Sequence, residues 1–291
     1  MLERKYAGAK PSFVLPKGTI DTQMHAYLPG FPALSGGPGL PPEPLPTPSD
    51  YRKTMEWLGI DRIVVTQGNA HQFDSSCLLA CLEDFGPVAK GVAVITGETP
   101  DAEMERLSLK GIVGARIMDL PGGAIGLSAL EEIDARAAAF GWMMAIQFDG
   151  SDILDHEERL AGLKSRWVLD HHGKFFAGVT PQSSQVDVVK RLIDKGNCWF
   201  KFAGCYESSR SGGPDFSDIA VVAQDIAAYA PERIVWGTNW PHNAARTAEE
   251  YPDEAALQEI VLSWFPNEAA RDKTLVANPE ELYGFSRWAE A

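Results

Sequence analysis

No stretch of this 291-residue chain approaches the ~18 consecutive apolar residues of a membrane-spanning helix. That excludes an integral helical membrane protein. Positive charge is also scarce: 26 Lys and Arg against 40 Asp and Glu give a formal charge of −14. Such a chain repels nucleic acid and anionic membrane, so neither is expected as a partner. A small anion remains possible as a ligand, because a few cations in a cleft can overcome the mean field. The four cysteines, Cys77, Cys81, Cys198 and Cys205, form no disulfide or zinc framework. Cys77 and Cys81 lie four apart in a helical pattern and read as buried core thiols. The N-terminus carries charges and then Gly-Ala-Lys-Pro, without the apolar core of a signal peptide, so the expected setting is a reducing cytoplasm. Residues 1–15 read as a ragged extension open to disorder, and 16–291 as a single domain. Nothing in the chain specifies an oligomeric state.

What the chain does contain is a repeated alternation. Eight apolar, β-branched-rich runs cover residues 19–24, 62–67, 91–95, 114–118, 143–148, 167–170, 199–203 and 233–237. Helical patterns lie between most of them, including one opened by Ser49-Asp50 and others at 101–109, 128–140, 185–195 and 218–229. Several begin with Ser or Asp and end near Gly, as helix caps require. Strand and helix alternating eight times predict an α/β fold, a (β/α)8 TIM barrel with its active site at the C-terminal rim of the strands. One segment breaks the rhythm. Residues 29–48 hold eight prolines and four glycines between the first strand and first helix. A βα loop of that length and stiffness reads as a wall of the pocket.

The polar residues fall at that same rim. Five of six histidines, His25, His71, His171, His172 and His242, lie at or just after strand ends; His156 sits in an acidic helical stretch and reads as surface. Gln23, Gln67, Asn69, Arg116, Asp119, Gln147, Asp149, Asp170, Lys174, Lys201, Tyr206 and Asn239 fall at the same level. Arg116 is an arginine inside a buried strand and needs an anionic partner. Two readings stay open: an ion pair with Asp119 or Asp149, or a substrate carboxylate held bidentately. Lys201 carries the same ambiguity. Metal-binding barrel hydrolases draw ligands from a His-x-His pair on the first strand, a middle-strand histidine and a last-strand aspartate. Here the corresponding residues include Gln23 and Asn239, neutral amides that are weak partners for zinc, so no metal and no other cofactor is expected.

Five motifs together carry a family resemblance: Asp21-Thr-Gln-Met-His25, Gln67-Gly-Asn-Ala-His71, Gly114-Ala-Arg116, Asp170-His171-His-Gly173 and Gly237-Thr-Asn-Trp-Pro-His242. From about Gly18 to Phe285 the chain resembles the amidohydrolase superfamily, in its branch of 2-pyrone-4,6-dicarboxylate lactonase-like proteins. The resemblance implies an enzyme acting on a small anionic sugar-acid lactone. It implies metal-independent isomerisation of an aldaric acid 1,5-lactone to the 1,4-lactone by intramolecular acyl transfer. His171, with His25 or His172, would move the proton, and Asn239 would stand where a hydrolase keeps its water-activating carboxylate. Arg116 or Lys201 would hold the carboxylate or the developing oxyanion. Gln67, His71, Gln147, Lys174, Tyr206, Trp240 and His242 complete the expected binding set. Hydrolysis of an anionic lactone, with a histidine as base, is the competing reading. A catalytically inactive barrel that senses a sugar acid is the third.

Overall fold

A computed structural model describes residues 2–288. Eight parallel strands run in the order of the chain: β1 (Ile20–Met24), β2 (Arg62–Thr66), β3 (Ala89–Ala93), β4 (Ile112–Asp119), β5 (Met143–Phe148), β6 (Trp167–Leu169), β7 (Cys198–Phe202) and β8 (Ile234–Trp236). Beyond the paired neighbours β1 to β8, the ends meet. Asn239 N donates to Gln23 O at 2.8 Å and His25 N to Trp240 O at 2.8 Å, closing the sheet past the end of β8. Gly237 makes this approach possible, since a Cβ there would lie 2.5 Å from the Gln23 Cβ.

The predicted barrel is therefore present. The helices are α1 (Pro48–Leu58), α2 (Ser76–Phe85), α3 (Asp101–Leu109), α4 (Leu130–Ala139), α5 (Ile153–Ala161), α6 (Ser184–Asp194), α7 (Ser217–Tyr229), α8 (Glu254–Leu262), α9 (Glu268–Leu275) and α10 (Ala277–Tyr283). The first starts earlier than Ser49-Asp50 suggests. Thr47 is its cap, in a reciprocal capping box with Asp50, and Pro48 takes the first helical turn, where its missing N–H costs nothing.

Two apolar layers follow from the strand period. Residues of one parity, such as Ile20, Val64, Val92, Ala145, Val168 and Val235, fill the barrel interior, and Leu282 and Tyr283 of α10 plug its N-terminal end. The other parity packs outward against the helices: Ile63, Val65, Ile117, Ile146 and Phe200 join the larger cluster. The C-terminal rim is thus the open end, and there the side chains turn polar.

Residues 2–15 contact the rest of the chain. Leu2 is buried, Arg4 donates to Pro42 O and Pro44 O, and Trp57 Nε1 donates to Ala9 O at 2.9 Å. The apolar side chains and the free carbonyls of the proline-rich loop give the segment a docking surface that composition alone does not reveal.

Candidate active site

The rim encloses a cavity of about 260 Å³, lined among others by His25, Arg116, Gln147, His171, Lys174, Glu207 and Asn239. Pro38, Gly39 and Pro41 of the proline-rich loop form one wall. The loops that carry the site are held in unusual backbone conformations. Of seven described non-glycine residues with positive φ, five belong here: His171, His172 and Lys174 after β6, and Asn239 and His242 after β8. Each such conformation costs on the order of 1 kcal/mol or more, a cost that functional loops commonly carry.

Asn239 is the hub. Its Nδ2 donates to Glu207 Oε1 at 2.8 Å and to the Tyr206 hydroxyl at 2.8 Å. A carboxylate only accepts, so Glu207 fixes the amide orientation and leaves Oδ1 facing His171 Nε2 at 3.0 Å. That nitrogen must carry a proton to bond. The other ring nitrogen of His171 lies 3.1 Å from Asp170 Oδ1. Nε2 of His171 therefore offers no lone pair, while Nδ1 is buried beside Asp170 without a hydrogen-bond partner. Gly204 admits this crowding: a Cβ there would meet His171 Cδ2 at 2.8 Å and Asn239 Nδ2 at 2.9 Å.

His25 is arranged in the opposite sense. Its Nδ1 donates to the Thr66 carbonyl at 2.7 Å, which leaves Nε2 unprotonated. Gln23 Nε2 lies at a long 3.4 Å from that nitrogen. Lys201, which can only donate, holds Gln23 Oε1 at 2.8 Å and so turns the amide nitrogen toward His25. Burial, then the charge of Arg116, pushes the His25 imidazole down to about 3, so it is neutral. His25, on the cavity lining, thus keeps an unprotonated Nε2.

Of the two readings open for Arg116, the ion pair with Asp119 or Asp149 is not formed. The Arg116 guanidinium donates to Gln67 O at 2.9 Å and to Gln147 Oε1 at 3.2 Å, and no carboxylate pairs with it among the described residues. Nε is buried without a partner. Asp149 instead caps a turn by accepting from Ser151 N. A buried cation held only by neutral acceptors on a cavity wall has the chemistry to receive an anion. Lys174 also lines the cavity but pairs with Glu207. Burial raises the Glu207 carboxyl, yet the Lys174 charge and the bond from Asn239 outweigh it and bring it to about 2.

Seven expected residues do not line the cavity. Lys201 lies deeper, in a buried pair with Asp170 at 3.0 Å. His172 turns away and stacks on Phe202 at 4.9 Å, with neither nitrogen bonded. Burial pushes it down to about 3. Trp240 is core, packed on Tyr51 at 4.9 Å. Gln67 spends its side chain on Gln72 O, Asp74 O and Val94 N, and supports Arg116 through its own carbonyl. His71 bonds Pro32 O at 3.2 Å and anchors the proline-rich wall. Tyr206 and His242 stand behind Asn239, bonded to each other at 2.6 Å. Glu207, Tyr27, Asn243 and Arg246 line the cavity without having been singled out. Glu207 was findable: it is the first carboxylate after β7, beside Tyr206.

The rim offers a poor donor set for a divalent metal. Among the described residues, no three His, Cys, Asp or Glu side chains are placed to share an ion. Gln23 and Asn239 stand where ligands would be needed, and both amides are already committed.

The barrel and this rim define an amidohydrolase-type enzyme site, and the sequence profile of the amidohydrolase family matches residues 20–285: the chain belongs to that family. D-galactarolactone isomerase of Agrobacterium fabrum is 56% identical over 285 residues, 98% of this chain and 97% of that one. A crystal structure of an apo protein from Agrobacterium tumefaciens superposes with a TM-score of 0.96 at 55% identity, covering 98% of this chain and 100% of that one. More distantly, a 2-pyrone-4,6-dicarboxylate hydrolase of Comamonas testosteroni is 28% identical over 298 residues, 94% of this chain and 93% of that one.

Proposed function

We propose that this protein is a D-galactarolactone isomerase, converting the 1,5-lactone of galactaric acid to the 1,4-lactone without a metal. It would serve carbohydrate (galactarate) catabolism in the cytoplasm. The observation that carries this reading is the Asn239 amide. It stands at the end of β8 where a hydrolase needs a base, and both its ends are hydrogen-bonded. No carboxylate there can take a proton from water. Glu207, the carboxylate that does line the cavity, is a weak base at a value near 2. The 56% identical relative bears the matching name.

The chemistry then needs little from the protein. The substrate's C4 hydroxyl attacks C1, and a tetrahedral oxyanion forms. The C1–O5 bond breaks, leaving a C5 hydroxyl. The attack is intramolecular, with an effective molarity on the order of 10⁵ M or more when well oriented. The proton lost by O4 must reach O5. His25 Nε2 is the group arranged to take it and return it. The proton acceptor is therefore assigned to His25 rather than to His171 or His172. Arg116 receives the substrate carboxylate. That charge offsets the guanidinium whose field lowers His25, so substrate binding itself strengthens the base. His171 and Asn239 form the polar floor.

The reading is tested by NMR of chelator-treated enzyme given freshly made galactaro-1,5-lactone. Appearance of the 1,4-lactone, faster than without enzyme, is the expected result. Open-chain galactarate as first product contradicts it.

A further inference from the structure

Behind Asn239 lies a hydrogen-bonded chain that leads away from the cavity to a buried carboxylate. Tyr206 Oη accepts from Asn239 Nδ2 at 2.8 Å. Its own proton then needs an acceptor, and His242 Nδ1, at 2.6 Å, is the one within reach among the described residues. His242 Nε2 in turn lies 2.7 Å from Glu254 Oε1. Burial pushes the Tyr206 hydroxyl well above its ordinary range, so it keeps its proton. Every bond in the chain therefore has one self-consistent direction, from Asn239 through Tyr206 and His242 to Glu254. His242 and Glu254 are fully buried, at 0% and 2% exposure. Glu254 stands in the first turn of α8, where the helix dipole favours a negative charge.

A buried Glu–His–Tyr chain is not needed to hold a barrel together. Carboxylates are rarely buried at such depth unless paired, and such pairs can often be replaced by apolar residues of similar volume without loss. Its far end is the amide on which the tautomer of His171 depends. If the Asn239 side chain turned over, its NH₂ would face His171, and Nε2 would have to become an acceptor. The rim would then carry two unprotonated Nε2 atoms instead of one.

We propose that Glu254 is a positioning residue for catalysis: acting through His242 and Tyr206, it adds to the hold of Glu207 on the Asn239 amide and keeps the amide oxygen toward His171. This keeps His171 a donor and leaves His25 as the sole proton acceptor. The proposal rests on the isomerase reading for its kinetic arm alone.

The test is a double-mutant cycle of Glu254→Gln and Tyr206→Phe, combined with ¹⁵N-histidine NMR of the resting enzyme. Each variant is expected to lower kcat about tenfold with KM changed less than about twofold, since no substrate contact is lost. The double variant should be no slower than the slower single, because both changes cut one chain. In both singles the His171 ring nitrogens should shift away from the Nε2–H state expected in the parent. Multiplying kinetic effects, or an unchanged His171 spectrum in folded Glu254→Gln enzyme, would overturn the proposal. If the parent does not isomerise the lactone, the isomerase reading fails, and the His171 spectra still decide whether the relay exists.

Discussion

The Asn239 amide nitrogen lies 2.8 Å from Glu207 Oε1, so the amide we propose in place of a water-activating carboxylate is itself held by a carboxylate. This contact makes Asn239→Asp more than an exchange of charge. Two carboxylates at that distance cannot both ionise, and one must take a proton. We expect isomerisation to fall ~10²-fold or more at neutral pH, the scale of losing an oriented donor–acceptor pair, and to recover partly on acidification. A pH–rate profile checks this. Parent-like rates across pH would remove Asn239 from the mechanism.

Two buried cations should respond in opposite ways to the same substitution. Arg116 has no anionic partner in the protein, so Arg116→Met should leave the melting temperature unchanged or raised. It should lower kcat/KM ~10²-fold, as expected for losing a charge-assisted bond of ~3 kcal/mol. Lys201→Met breaks the pair with Asp170 and strands a buried carboxylate. A stability loss of ~3–5 kcal/mol is expected there. Thermal melts beside kinetics separate the two. An Arg116→Met enzyme that melts early but works normally would mean its role is structural.

His25→Asn can keep an N–H for the Thr66 carbonyl but deletes the unprotonated Nε2. A loss of ~10²–10⁴-fold in kcat is expected, the range for removing a general base. His171→Gln should cost less. If their ranking is reversed in steady-state assays, the proton belongs to His171.

These assignments show what the sequence could and could not disclose. The eight strands were legible because apolar runs and polar rim residues recur with the barrel's own rhythm. Depth was not legible: Arg116 and Lys201 are both mid-run cations, and strand stagger sends one to the cavity wall and the other beneath it. Direction was not legible either. His171 and His172 are adjacent, yet successive positive φ values turn one ring to the rim and the other into an aromatic cluster. Asn239 was legible as a departure from a hydrolase pattern, but its hold by Glu207 depends on a loop geometry that no spacing encodes.

His172 gives a prediction about stability. Its value is lowered to about 3 in the fold, so below its ordinary 6.5 the unfolded chain binds the proton and the native state does not. Stability attributable to the neutral ring is complete above ~pH 6.5 and is lost as pH falls toward 3, by up to ~1.4 kcal/mol per unit. His25 acts in the same direction. Asp21, raised to about 6 by burial, acts oppositely between roughly pH 4 and 6, so the parent curve alone is ambiguous. The difference between parent and His172→Phe isolates one proton. That variant should stay active and lose less stability in acid. Loss of activity in a stably folded His172→Phe enzyme would restore His172 to the catalytic set.

The most direct test of the central claim is isomerisation of galactaro-1,5-lactone in ¹⁸O-labelled water by exhaustively chelated enzyme, with the products weighed by mass spectrometry at early times. Acyl transfer to the substrate's own C4 hydroxyl predicts 1,4-lactone free of label, formed at the same rate as before chelation. Label in the carboxyl group, or activity that vanishes with the chelator and returns with added zinc, would contradict it.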